Sequence, residues 1–271
     1  MKNLSKFNLF SLLLGYSFLY IPIIFLVIYS FNESRLVTVW GGFSTKWYGA
    51  LWQNDSVMQA AWVTLRIAFV SSLVATILGT FAGLVLARFN QFRGRTLFNG
   101  MIYSPLVMPD VIIGISLLLM FVALGMDRGF WTITLAHITF SMCYVAVVVR
   151  SRMMDFDRAT EEAAQDLGCP PARVFFYVIL PIIAPSVLSG FLLAFTLSLD
   201  DLVIASFATG SGTDTLPIKI YSMVKLGVTP EINALSTILI GIVASGVLMF
   251  SFFNRRQELQ RQRDKQLAAQ E

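Results

Sequence analysis

The chain has 271 residues, 56% of them hydrophobic and only 13% charged, with a mean hydropathy of +0.71. A water-soluble domain carries about a quarter charged residues, so this composition excludes an ordinary soluble protein and points to a membrane protein. The net charge of +4 is read from where the basic residues fall, and Cys143 and Cys169 are too few for a disulfide framework.

A spanning helix takes about 20 mostly apolar residues. Six segments qualify: 9–31, interrupted by Pro22; 62–87; 101–124; 130–149; 184–207; and 234–253. The first follows a basic start at Lys2 and Lys6 and is read as an uncleaved span. It is longer than a signal-peptide core, and no alanine precedes Ala50 to form a small-x-small cleavage site. The loop after it holds Trp40, Trp47, Tyr48 and Trp52, rings suited to a membrane–water interface. The expectation is an all-α membrane protein of six spans. Its divisions are a first span with its outer loop (1–58), a five-helix core (59–254) containing a polar loop at 155–183, and a charged tail (255–271).

Lysine and arginine set the orientation. With the N-terminus inside, fourteen of the 20 basic residues fall on the inner side: Lys2, Lys6, Arg88, Arg93, Arg95, Arg150, Arg152, Arg158, Arg173, Arg255, Arg256, Arg261, Arg263 and Lys265. Arg35, Lys46, Arg128, Lys219 and Lys225 fall outside, and Arg66 lies within the second span. Both termini and the 155–183 loop are therefore expected in the cytoplasm. The positive charge is topological and needs no nucleic acid.

Within that loop, EEAAQDLGCPPARVFFYVILP (161–181) predicts a short helix over 158–167. Asp157 is placed to cap it, Glu161 and Glu162 suit its N-terminal dipole, and Gly168 provides a left-handed stop. One face carries Ala159, Ala163 and Leu167, with Ala164 beside it. At about 15 Å long, such a helix is too short to be stable alone and requires a packing partner. Pro171 suits the first turn of a second helix, 171–180, and Pro181 and Pro185 are expected to break the chain again before the fifth span.

These residues resemble the EAA loop of permease subunits of binding-protein-dependent ABC importers: EAA, three residues, G, nine residues, I-x-LP. Here Glu162-Ala163-Ala164 is followed by Gly168, then Val178-Ile179-Leu180-Pro181, with Val in place of Ile at 178. The resemblance implies the type I ABC importer permease fold. It also implies a coupling helix that docks into a groove on a cytoplasmic ATPase, through Glu162, Ala163, Ala164, Gly168, Leu180 and Pro181. The chain has no GxxxxGK[ST] phosphate loop. It is thus expected to be no enzyme and to bind no cofactor itself, ATP and Mg being used by the partner.

Acidic residues within spans incur about 2.5–3.5 kcal/mol on insertion scales and mark functional or paired positions. Asp110 follows Pro109 in the third span, where a kink or break is expected. Asp200 and Asp201 lie toward the outer end of the fifth. One reading is structural, with Asp110 capping a restarted half-helix and Arg66 neutralising an aspartate of the fifth span. The other is a water-accessible path for a cation, with Tyr103, Phe195 and Tyr221 as aromatic partners. The lone His137 reads as a hydrogen-bonded packing residue.

SPLVMPD, FTLSLDD and LPIKIYSMVKLGVTPEINALST look like the smaller permease of spermidine/putrescine importers, over nearly the whole chain. That likeness implies a polyamine substrate and a bacterial inner-membrane location. The implied partners are a second permease, an ATPase dimer, a periplasmic polyamine-binding protein and membrane lipid. A permease for another cationic or small organic solute shares the EAA loop. A secondary transporter fits less well, since no internal repeat is visible. An intramembrane aspartyl protease would pair Asp110 with Asp200 or Asp201, and would leave the EAA loop unexplained.

Overall fold

The second apolar segment forms the longest helix. In the computed structural model α3 covers Asp55–Arg88, opening on an acid and closing on a base, the order that suits the helix dipole. One side of it is made of small residues, with Ser72, Ala75, Thr76, Gly79, Thr80 and Gly83 all buried. That stripe brings α6, Phe130–Met154, to backbone distance. A Cβ on Gly79 would stand 2.6 Å from the Met142 carbonyl oxygen, and one on Gly83 2.6 Å from that of Ala146. This is the small-xxx-small packing of apolar helices, in which close backbone approach replaces a hydrophobic driving force. Gly79→Leu is expected to force the helices apart and destabilise the subunit by at least about 1–3 kcal/mol. Gly100→Leu, where a side chain would meet open space, should not. The yield of monodisperse subunit on size-exclusion chromatography after membrane extraction separates the two.

The structure describes residues 5–36, 39–89, 91–227, 229–242 and 244–245. The other helices are α1 Lys6–Ser30, α2 Lys46–Trp52, α4 Arg95–Val107, α5 Asp110–Ala123, α7 Ala159–Asp166, α8 Pro171–Val174, α9 Leu180–Asp200, α10 Val203–Ala208, α11 Leu216–Leu226 and α12 Pro230–Ile242. Among the described residues the only β feature is an isolated bridge, Asn32 to Phe43. Two packing units result, Ser56–Tyr221 and the residues on either side of it.

In the central unit, Ile67, Ile113, Phe121, Ile133, Phe140 and Ile204 form one core joining α3, α5, α6 and α10. A second core joins α3 and α6 to α8 and α9 through Ala75, Val145, Val149, Val174, Ile179 and Ile183. A third, of Leu86, Ile102, Cys143 and Ala146, seats α4 on α3 and α6.

The flanking unit contains the loop that follows α1. Asn32 is fully buried and organises it, donating to the Val39 carbonyl at 2.7 Å and accepting from the Gly41 amide at 2.8 Å. Trp47 Nε1 donates to the Asn32 carbonyl at 2.7 Å, and Tyr48 Oη meets Ser30 Oγ at 2.7 Å. Of the four aromatics expected at an interface, Trp47 and Tyr48 are therefore structural anchors of the loop, while Trp40 and Trp52 remain exposed.

Among the described residues four helices are long and apolar enough to cross a membrane: Phe7–Ser30, Asp55–Arg88, Phe130–Met154 and Pro171–Asp200. The broken pair α4 and α5 can supply a fifth. The third expected span is indeed interrupted: Met108 is extended, Pro109 caps α5, and the pair bends by 119°. Pro22 does not interrupt α1.

Pro181 and Pro185 do not break the chain either, contrary to expectation. Helical structure is continuous from Pro171 to Asp200. A π-helical turn at Phe175–Ile179 ends one residue before Pro181, with Leu180 between, and such a widened turn absorbs the register change that a missing amide would otherwise impose. The fifth segment correspondingly ends at Asp200, and residues 203–208 form a separate short helix. The sixth expected span lies partly outside the described residues, and the 255–271 tail wholly so.

Candidate functional site

The polar loop forms two turns of helix between well-defined stops. Arg158 rather than Asp157 takes the N-cap position, and Asp157, one residue earlier, accepts through Oδ1 from the Ala159 amide that opens α7, at 3.0 Å. At the other end Gly168 has φ +82°. Its amide donates to the Gln165 carbonyl at 2.8 Å, and the Cys169 amide donates to that of Ala164 at 3.1 Å. These two bonds are a Schellman motif, which places the left-handed residue directly after the helix. Pro171 then opens α8.

Two faces of α7 differ. Ala164 is half-buried and, with Cys169 and Phe156, packs on the core shared by α3, α6 and α9. Glu162, Ala163, Asp166 and Leu167 are exposed, Leu167 by 89%. Their spacing at i and i+4 sets two acids beside a small-plus-apolar pair on one outward strip. Glu161 points the other way, bound to Arg88 at 2.6 Å, and the Arg88 guanidinium lies 4.9 Å from the centre of the Phe156 ring. A charged strut therefore joins α7 to the last turn of α3. Sequence reasoning missed it because Arg88 and Glu161 are 73 positions apart and Arg88 read as one of many inner basic residues. Leu180 is half-buried at the start of α9, and Pro181, beside it, is exposed. The whole signature thus runs from the outward strip into the long helix.

The acids separate into two kinds. Asp201 is embedded: its carboxylate meets His137 Nε2 at 3.1 Å and accepts from the Ile204 and Ala205 amides at 3.2 and 2.7 Å. It stops α9 and caps α10. His137, fully buried, meets Ser198 Oγ at 2.6 Å through Nδ1, and Ser198 meets Ser71 Oγ at 3.1 Å. Ser71, Ser198, His137 and Asp201 thus form one chain of hydrogen bonds across α3, α6, α9 and the α10 cap. The order Ser–His–Asp resembles a nucleophilic triad. Ser198, however, is only 2% exposed and shares its hydroxyl with Ser71, so no substrate carbonyl reaches it.

Arg66 does not neutralise an aspartate of the fifth segment, as one reading expected. Its guanidinium lies 4.8 Å from the centre of the Trp62 ring, one helical turn away, and the buried partner of Asp201 is His137.

Asp110 and Asp200 are exposed, and among the described residues neither has an ion-pair partner. Asp110 is the first residue of α5, after the break at Met108-Pro109, where a half-helix N-terminus holds a carboxylate favourably. Gly114, one turn later, touches the Phe207 ring of α10 so closely that a Cβ there would collide with it. Asp110 and Asp201 thus head the two members of one packed helix pair. Tyr103 lies elsewhere, on the Arg150 side of α4, accepting from Arg150 Nη1 at 2.8 Å. Tyr221 is exposed on α11. No dyad of facing aspartates involves Asp201, since its carboxylate faces His137 and the α10 amides.

Residues 75–261 match the family described as the binding-protein-dependent transport system inner membrane component. The chain belongs to this family. It is a multi-pass membrane protein and a permease component, not an enzyme. It is 54% identical over 270 residues to the putrescine transport system permease protein PotI of Escherichia coli K12, covering 97% of this chain and 96% of that one. It is 47% identical over 225 residues to the spermidine/putrescine transport system permease protein PotC of the same strain, covering 83% and 85%. Among solved structures, a chain of a bacterial ABC transporter involved in import of the acidic polysaccharide alginate superposes with a TM-score of 0.72 at 16% identity, covering 93% of this chain and all of that one. That likeness shows the fold.

Proposed function

We infer that this chain is the membrane-spanning permease subunit of an ATP-driven polyamine importer in the bacterial inner membrane. The observation that carries the substrate is the 54% identity, over almost the full length of both chains, to a putrescine permease. The mechanism is supported by the outward strip of α7. The chain spans six times, with both termini cytoplasmic, and pairs with a second permease to enclose the pathway. Residues 1–58 supply the first span and outer loop, 59–254 the five-helix core with its coupling loop at 155–183, and 255–271 a cytoplasmic tail.

Glu162, Ala163, Ala164 and Gly168 present the coupling helix to one subunit of an ATPase dimer. Closure of that dimer on ATP pushes α7, and the push passes through two rigid links. One is the Glu161–Arg88 strut into α3. The other is the continuous helix from Pro171 to Asp200, entered through Leu180 and Pro181. Both reach the region of Asp201, so inward and outward exposure of the pathway can alternate with the nucleotide state. Asp110 and Asp200, with Tyr221, are the groups offered to a passing polycation, and a periplasmic binding protein delivers it. This chain binds no cofactor, ATP and Mg acting in the ATPase.

The test is ATP-dependent uptake of radiolabelled putrescine and spermidine into proteoliposomes holding this chain with its co-purified partners and binding protein. Saturable uptake of either is expected. Failure of both, with ATPase stimulation by a binding protein loaded with some other solute, would keep the permease and remove the polyamine.

A further inference from the structure

Beside the α7 strut, the ends of α3 and α6 and the start of α4 enclose a pocket of about 240 Å³. Arg95, Arg150 and Arg158 line it, over an apolar floor that includes Leu86, Met153 and Phe156. Two half-buried arginines, Arg95 and Arg150, and the exposed Arg158 concentrate positive charge around one small space, which an anion would offset. Glu161 is held by Arg88, and among the described residues no carboxylate, the neighbouring Asp155 and Asp157 included, forms an ion pair with Arg95, Arg150 or Arg158. Their existing bonds are to neutral acceptors: Arg95 to the Leu86 carbonyl at 3.4 Å, and Arg150 to Asn99 Oδ1 at 3.3 Å and Tyr103 Oη at 2.8 Å. The Nε atoms of Arg95 and Arg150 are buried without a hydrogen-bond partner, and buried donors in native proteins are normally satisfied.

Guanidinium forks match the oxygens of a phosphate in pairs. The pocket is smaller than the roughly 300 Å³ at which sites for whole small-molecule ligands begin, so it takes a phosphate-bearing headgroup and leaves the remainder of the ligand outside. It lies at the C-terminal ends of α3 and α6 and the start of α4, on the side where the basic residues concentrate, and basic pockets between spans on the cytoplasmic side are suited to such headgroups. We propose that the Arg95–Arg150–Arg158 pocket binds the phosphate group of an anionic phospholipid, which clamps the α3, α4 and α6 ends next to the coupling helix. The inference rests on the membrane placement of α7 given above.

The purified full transporter is delipidated in detergent, then mixed with vesicles of phosphatidylcholine alone, with vesicles containing phosphatidylglycerol, or with inorganic phosphate. Retained lipid is counted by native mass spectrometry, and thermal stability is recorded in parallel. Wild type is expected to retain phosphatidylglycerol over phosphatidylcholine by about tenfold or more, as a charge-assisted pair of bonds implies. Arg95→Gln with Arg158→Gln, which leaves the Arg150–Tyr103 bond intact, should bring the ratio near one. Should the double variant fold poorly, the wild-type comparison of the two lipids still decides. Equal retention of the two lipids by wild type, or an unchanged preference in the variant, overturns the site. Equal stabilisation by inorganic phosphate and phosphatidylglycerol, without lipid retention, overturns the membrane source. None of these readouts uses a polyamine, so a failure of the substrate assignment would leave them untouched.

Discussion

Glu162→Lys and Gly168→Pro are each expected to abolish polyamine uptake while the subunit still inserts and assembles, for different physical reasons. Glu162 is exposed on the outward strip of α7 and has no partner among the described residues. A lysine there leaves the fold alone and reverses one charge at the proposed ATPase contact. Loss of a partner from a buried interfacial charge pair costs about 2–5 kcal/mol, so ATPase stimulation by loaded binding protein should fall by about 30-fold or more. Gly168 acts through the backbone. At φ +82° it lies far from the roughly −65° to which proline is locked, and proline also removes the amide that donates to Gln165. The Schellman stop is lost, α7 is no longer held at a fixed angle to α8, and a push on it dissipates in the linker. Uptake and ATPase stimulation measured together provide the check. Full transport with normal stimulation in both variants would remove α7 from the coupling role.

The parts of this site that could be read in the sequence are those set by local chemistry. Asp157, Glu162, Gly168 and Pro171 act within a few residues of themselves, through capping, the helix dipole, left-handed φ and a missing amide, so their spacing predicts α7 and its stop. Pro109 announces the break before Asp110 in the same way. What could not be read depends on distant partners or on compensation. Pro181 and Pro185 predict a broken chain, but the π-turn at Phe175–Ile179 accommodates Pro181 with no residue type there to signal it, and Pro185 is carried inside α9. The Arg88–Glu161 strut, the Gly79 and Gly83 contacts with α6, and the seat of Asp201 against His137 all join positions more than 60 apart in sequence. Periodicity identifies a buried face without naming what covers it. Three aspartates within expected spans therefore looked alike in sequence, while the fold encloses one and leaves two open.

That difference predicts opposite phenotypes. Asp201→Ala is expected to damage the fold before it damages transport. The carboxylate is 8% exposed and faces His137, and its removal leaves His137 Nε2 and the Ile204 and Ala205 amides without their acceptor. Leaving buried donors without their acceptor costs about 1–3 kcal/mol each, together a large share of the stability of a typical domain. Less subunit should be recovered from membranes, with a lower thermal midpoint. His137→Ala should resemble it and, combined with Asp201→Ala, should add less than the sum of the two, because the residues share one network. Asp110→Asn preserves shape, removes only charge from an exposed helix start, and should leave recovery and thermal midpoint near wild type. If Asp110 meets a polyamine ammonium, the lost charge-assisted bond is worth about 1.5–3 kcal/mol, and kcat/KM for putrescine uptake should drop by about tenfold or more. Normal uptake in Asp110→Asn would take Asp110 off the pathway. Normal stability in Asp201→Ala would show that the His137 network does not hold the α9–α10 junction and would return Asp201 to the candidates for substrate contact.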